Sequence, residues 1–160
     1  MELAFEQKQR SCLHRTAHLS LAQEQTQELI IPDSMPDASR TLICYAEPEV
    51  QSKTNREGSL LVTGTLRTSC LYADESGGLQ LLPSELPFTV KLESAELHEQ
   101  TQTLVRCCVR SADSRLINSR KVLLRVTVLV QADGYEPQME SMSVLTDPPA
   151  CLQLKTQTYE

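Results

Sequence analysis

Apolar residues recur at every second position through most of this chain, and that period calls for pleated strands with one face in a core. Leu60, Val62, Gly64, Leu66, Cys70 and Tyr72 alternate with Ser59, Thr63, Thr65, Arg67 and Ser69. Val122, Leu124, Val126, Val128 and Val130 alternate with Leu123, Arg125, Thr127, Leu129 and Gln131, and 86–92 and 103–109 follow the same rule. β-Branched side chains concentrate in these runs, as a half-buried pleated surface favours. No amphipathic helix longer than about two turns can be drawn. Strands are expected near 3–14, 16–31, 41–53, 59–73, 78–92, 101–111 and 120–132. Turn signals separate them at 55–58 and at 74–78, where Gly77 and Gly78 supply the φ that a hairpin tip demands. Ser111 to Ser114 is expected to interrupt a strand. The fold class that follows is all-β, an antiparallel β-sandwich or flattened barrel of about seven to eight strands with hairpin connections.

A second feature is a corner. An apolar run ends in Pro32-Asp33 and then Pro36-Asp37, with Arg40 three residues on. Each proline fixes φ and lacks a donor, so each pair stops a strand, and each aspartate can turn back onto nearby N–H groups. Two such pairs in succession predict a rigid turn.

At 160 residues the chain suits one domain of ordinary size and needs no disulfide or metal to bury a core. A net charge of −6 argues against bulk electrostatic binding to nucleic acid or anionic lipid. Charge is uneven, though. Arg106, Arg110, Arg115, Arg120, Lys121 and Arg125 face one acid, Asp113, within 106–125: a local net of +5 against −11 elsewhere. This stretch is either a solvated strand pair or a positive face for an acidic partner or a second copy. Six cysteines match no small secreted framework, and the polar start does not read as a signal peptide, so a reducing cytosol is expected. No apolar stretch approaches the roughly 20 residues of a membrane span.

Residues 1–27 read as an N-terminal β arm packed on or pairing with a β domain at 28–132. Its glutamine-rich run at 23–28 suits an exposed or edge strand. Residues 133–160 read as a Pro-rich linker and the start of a following strand or domain, with strand-like alternation resuming at 151–158. The chain is thus expected to be the N-terminal part of a longer repeated-domain protein.

Reactive constellations are hard to assemble. Cys12, His14 and His18 share parity, but a fourth zinc ligand and a C-x-x-C pair are missing. Cys107 and Cys108 point to opposite faces of a strand. Asp33 and Asp37 lack the oxygen-rich series of a calcium loop and suit turn capping instead. No phosphate-binding glycine loop or local nucleophile–base pair is present. No catalytic, cofactor or metal site is therefore expected, and a binding or structural module is favoured over an enzyme. Six aromatic residues and no tryptophan supply stacking platforms poorly, which disfavours the alternative of a cell-wall glycan (peptidoglycan) binding module.

Four segments carry a resemblance. Residues 24–40, with both Pro-Asp pairs, resemble the opening of the SPOCS domain of spore-forming bacteria. Val62-Thr63-Gly64-Thr65-Leu66, running into Cys70-Leu71-Tyr72-Ala73 and the acidic Gly77-Gly78 tip, is similar to its next segment. Leu86-Pro87-Phe88 resembles a later strand, and 115–122 resembles an arginine-bearing strand start. The segments fall in the family's order and cover about 28–132. Such domains occur in tandem, often ahead of a LysM module, which has no counterpart here. The resemblance implies a non-catalytic interaction or scaffolding module of spore-coat or envelope assembly. It implies protein partners of the coat or envelope, or self-association through sheet edges, in the mother-cell cytoplasm or at the forespore surface. Arg120 then has two readings: a clamp on Asp33 or Asp37 of the corner, or a plain surface arginine.

Overall fold

Alternation becomes six strands in the computed structural model, which describes residues 5–146. They are β1 (Phe5–Ile30), β2 (Ala38–Arg56), β3 (Ser59–Asp74), β4 (Leu79–Glu93), β5 (Gln102–Asn118) and β6 (Lys121–Leu145). Two three-stranded sheets result, with orders β1-β6-β5 and β2-β3-β4. The β2–β3, β3–β4 and β5–β6 ladders are antiparallel. Side-chain bonds join Thr16 to Gly134, His18 to Asp133, Glu24 to Arg125 and Glu28 to Lys121, so β1 also runs antiparallel to β6. The fold is all-β and sandwich-like.

Strand count is lower than expected for a physical reason. The expected strands 3–14 and 16–31 are one strand, since Phe5–Ile30 contains no proline or glycine to break it. Ser111–Ser114 does not end β5 but forms a register shift between Val109 and Ser111, a bulge that resets which side chains face inward. Residues 133–145, linker-like by composition, continue β6. Gly134 sits in that strand because a Cβ there would meet Thr101 Cγ2 at 3.0 Å and the Ala17 Cβ at 3.3 Å. The expected alternation at 151–158, and Cys151 with it, lies outside the described residues.

The chain divides into two compact units. One is Arg15–Glu136, so its limits do not coincide with 28 and 132: the inner half of β1 is part of the domain's own sheet. The other, within the described residues, joins 5–14 with 137–146, and in it the Gln7 amide bonds Ser141 and Ser143.

Within Arg15–Glu136 the core lies between the sheets. Val122, Leu124, Val126, Val128 and Val130 of β6 and Leu60, Val62, Leu66 and Tyr72 of β3 are fully buried, as a central strand of each sheet should be. Phe88, Val90 and Leu92 of β4 complete the layer. Gly64 is opposite Phe88 in the ladder, where any Cβ would collide with the Phe88 ring and the Glu49 carbonyl. One seam between the sheets is laced by side chains: Thr41 Oγ1 donates to the Ser114 carbonyl at 3.1 Å, and Lys53 and Asn55 donate to the carbonyls of Thr103 and Thr101. A crossover at 94–101 returns the chain from β4 to β5, pinned where the Gly58 N–H donates to Leu97 O at 2.8 Å.

Candidate functional site

The Pro-Asp corner joins β1 of one sheet to β2 of the other. Met35 N donates to Pro32 O at 2.9 Å, closing a turn around Asp33 and Ser34. Backbone bonds from Ile31 N to Arg120 O (2.9 Å) and from Ala38 N to Ser119 O (2.8 Å) lash both ends of the corner to the β5–β6 turn. Asn118 Oδ1 accepts from Arg120 N at 2.9 Å and shapes that turn. The Arg120 side chain then reaches inward. Its Nε meets Asp37 Oδ1 at 2.7 Å, and its Nη1 donates to the carbonyls of Pro32 (3.0 Å) and Met35 (2.8 Å). Asp33 and Arg40 are exposed and take no part. Pro36 O is held by the Tyr72 hydroxyl at 3.0 Å. Burial raises the Tyr72 phenol above its ordinary value, with the Arg120 guanidinium opposing, so the hydroxyl remains a donor. Arg120 and Tyr72 thus hold the carbonyls of Pro32, Met35 and Pro36, and Asp37 holds the guanidinium, so these arms fix the path of the corner.

At the β3–β4 tip, Asp74 performs a similar office. Its carboxylate accepts from Ser76 Oγ (2.6 Å), Gly78 N (2.8 Å) and Ser76 N (2.9 Å). These bonds, that from Ser76 Oγ foremost, hold its pKa below the usual carboxylate range.

The basic stretch lies on the outer face of β1-β6-β5. Arg106, Arg110, Arg115 and Arg125 are exposed there and Lys121 is half-buried. Strand β1 brings acids across it: Lys121 meets Glu28 at 2.7 Å and Arg125 meets Glu24 at 3.4 Å. Asp113 is opposite Arg125 in the β5–β6 ladder. Asp133 adds a further acid, held below its ordinary pKa first by the His18 hydrogen bond at 2.6 Å. The local excess counted along the sequence is thus a mixed face in space, because Glu24 and Glu28 are brought to it by β1, which is remote in sequence.

The opposite sheet presents what sequence reasoning missed. Ile43, Leu71 and Leu81 are in line across β2, β3 and β4, with Tyr45, Ser69 and Pro83 in the next row. Ile43, Tyr45, Leu79 and Leu81 are each more than half exposed. This apolar outer face was signalled by Leu79 and Leu81, which occupy positions that the alternation reserves for polar residues.

Cys44 is directly opposite Cys70, which is buried. Burial, then Cys70 and Asp113, push the Cys44 thiol up to about 11, so it stays protonated and a poor nucleophile near neutrality. Cys107 is raised likewise by burial, with a smaller push from Cys108. His18 is engaged with Asp133, and no group of three or more His, Cys, Asp or Glu gathers as metal ligands among the described residues. No helix among these residues is long and apolar enough to cross a membrane. Comparison with family models, curated proteins and solved structures found no match.

Proposed function

We propose that this chain is a non-catalytic protein-interaction and scaffolding module of spore-coat or envelope assembly, working in the mother-cell cytoplasm or at the forespore surface. The observation that carries the interaction reading is the apolar outer face of β2-β3-β4. Water-exposed Ile43, Tyr45, Leu79 and Leu81 have no core to fill and gain free energy only when another surface covers them. The link to sporulation comes from the SPOCS-like segments at 24–40, 62–73, 86–88 and 115–122.

Affinity capture from sporulating cells tests both parts. The wild-type chain is expected to recover coat or envelope proteins, and a chain carrying Ile43→Ser with Leu81→Ser is expected to lose them while its circular dichroism is unchanged. Equal recovery by both chains removes the apolar face from the reading. Recovery of no coat or envelope protein removes the assembly role, and sedimentation with purified cell wall would replace it with glycan binding.

A further inference from the structure

We propose that the inner half of β1 pairs with the same segment of a second copy, antiparallel about a two-fold axis through Leu21, to make a continuous six-stranded sheet. Among the described residues strand β1 ends its sheet: it has a hydrogen-bonded neighbour, β6, on one side only. An edge of this length without proline or glycine is a ready template for another strand. The end strand of the other sheet, β4, is guarded differently. Pro83 and Pro87 share parity there, and proline is tolerated in a ladder only where its nitrogen faces away from the neighbour, so that edge lacks two donors.

The occupant is identified by complementarity. Pairing about Leu21 sets residues of like parity opposite each other, so both outer faces stay on one side of the joined sheet. On that outer face His18 then faces Glu24 of the second copy, and Ser20 faces Ala22. Within each copy His18 already binds Asp133 at 2.6 Å and Glu24 already binds Arg125 at 3.4 Å. The joined sheet therefore carries a row of Asp133, His18, then Glu24 and Arg125 of the second copy, alternating in sign when His18 is protonated, and symmetry supplies the row twice. On the core side the axis places Leu21 against Leu21. That residue shares parity with buried Ala17 and Leu29 yet is 43% exposed, an apolar side chain that its own fold covers only in part. Moving the axis to Ser20 takes Glu24 away from His18, and moving it to Gln23 sets Leu21 against Gln25, so of these three registers the one at Leu21 satisfies both faces.

Sedimentation velocity of the full chain, run over a wide concentration range, tests the assembly, and cysteine trapping tests the register. A reversible dimer is expected. Leu21→Cys is expected to cross-link to itself under glutathione disulfide, with a disulfide joining the two copies at position 21 found by peptide mass spectrometry, whereas Gln25→Cys cross-links little. Glu24→Lys, checked for folding by circular dichroism, is expected to weaken the dimer roughly tenfold because two pairs invert. A monomer at every concentration overturns the proposal. So does a dimer whose trapping is no better at 21 than at 25, or a β1 edge that takes up only a foreign strand. The cysteine trapping and Glu24→Lys report on β1 and not on the apolar face of the other sheet, so the two readings fail separately.

Discussion

Arg120 binds three acceptors in the Pro-Asp corner, and they do not contribute equally. Its side chain is 38% exposed, and an ion pair in that setting is screened to between nothing and about 1 kcal/mol. Hydrogen bonds from a charged donor to the Pro32 and Met35 carbonyls are each stronger than a neutral bond, and losing Arg120 leaves both without that partner. Arg120→Ala is therefore expected to cost about 1–2 kcal/mol in urea unfolding, and Asp37→Asn less than about 1. Lysine should not rescue, since one ammonium cannot span the three acceptors as a planar guanidinium does. The two prolines and aspartates made the corner legible in sequence. The identity of the clamped acid was not, because choosing Asp37 over Asp33 depends on where a turn some 80 residues later comes to rest. The Tyr72 bond to Pro36 was hidden for the same reason. Two titrations belong to this scale. Asp74, with its pKa depressed, contributes stability in full above the ordinary Asp value of about 4, and this is lost as pH falls through the lowered value. Asp74→Asn should flatten that acid limb. His98 is the reverse: its bond to Glu57 at 2.9 Å raises its pKa, so its contribution is full below about 6.5 and disappears as pH rises through the raised value. Unfolding of His98→Gln should show a shallower decline over that interval.

Strands were the most readable level, because period two needs only neighbours in sequence. Where the reading failed, the third dimension had overruled composition. Ser111, Asp113 and Ser114 are turn formers, yet the pairing of β5 with β6 on both sides of them holds the strand together and absorbs the extra residue as a bulge. Gly134 and Pro137 are linker residues by type. Gly134 is retained because Thr101 and Ala17 crowd it, a constraint that is written in other strands. Gly64 makes the same point in the other sheet. It occupies a core-facing position of β3 where an apolar side chain would ordinarily go, and the Phe88 ring fills that space from β4. Gly64→Ala should destabilise by about 1–3 kcal/mol, read as an earlier urea midpoint at unchanged slope, because one of the colliding atoms is a backbone carbonyl that cannot swing aside. Leu79 and Leu81 were legible and overlooked; an apolar residue on the polar half of an alternation is a surface statement.

At the scale of the whole molecule, the first and last strands among the described residues pair: β1 lies beside β6, and β6 carries the most completely buried row of the core. The domain limits drawn from sequence, 28 and 132, cut through this arrangement. A fragment of 28–132 would lose all of β1 but Glu28, Leu29 and Ile30, leaving one flank of β6 without hydrogen-bond partners and its buried valines open to water on the side that β1 covers. It would also lose Ala17 from the core cluster and Asp133 from the outer face. A fragment of 15–136 keeps the pairing and all of the fully buried core side chains. The longer fragment is expected to unfold cooperatively, with coincident transitions by far-UV circular dichroism and tyrosine fluorescence. The shorter one should show no sigmoidal transition and should aggregate through the β6 edge that it exposes. A cooperative 28–132 would mean that β1 is an appendage and that β6 can stand as an end strand, and the two-fold pairing argued for β1 would then have to be sought on β6 instead.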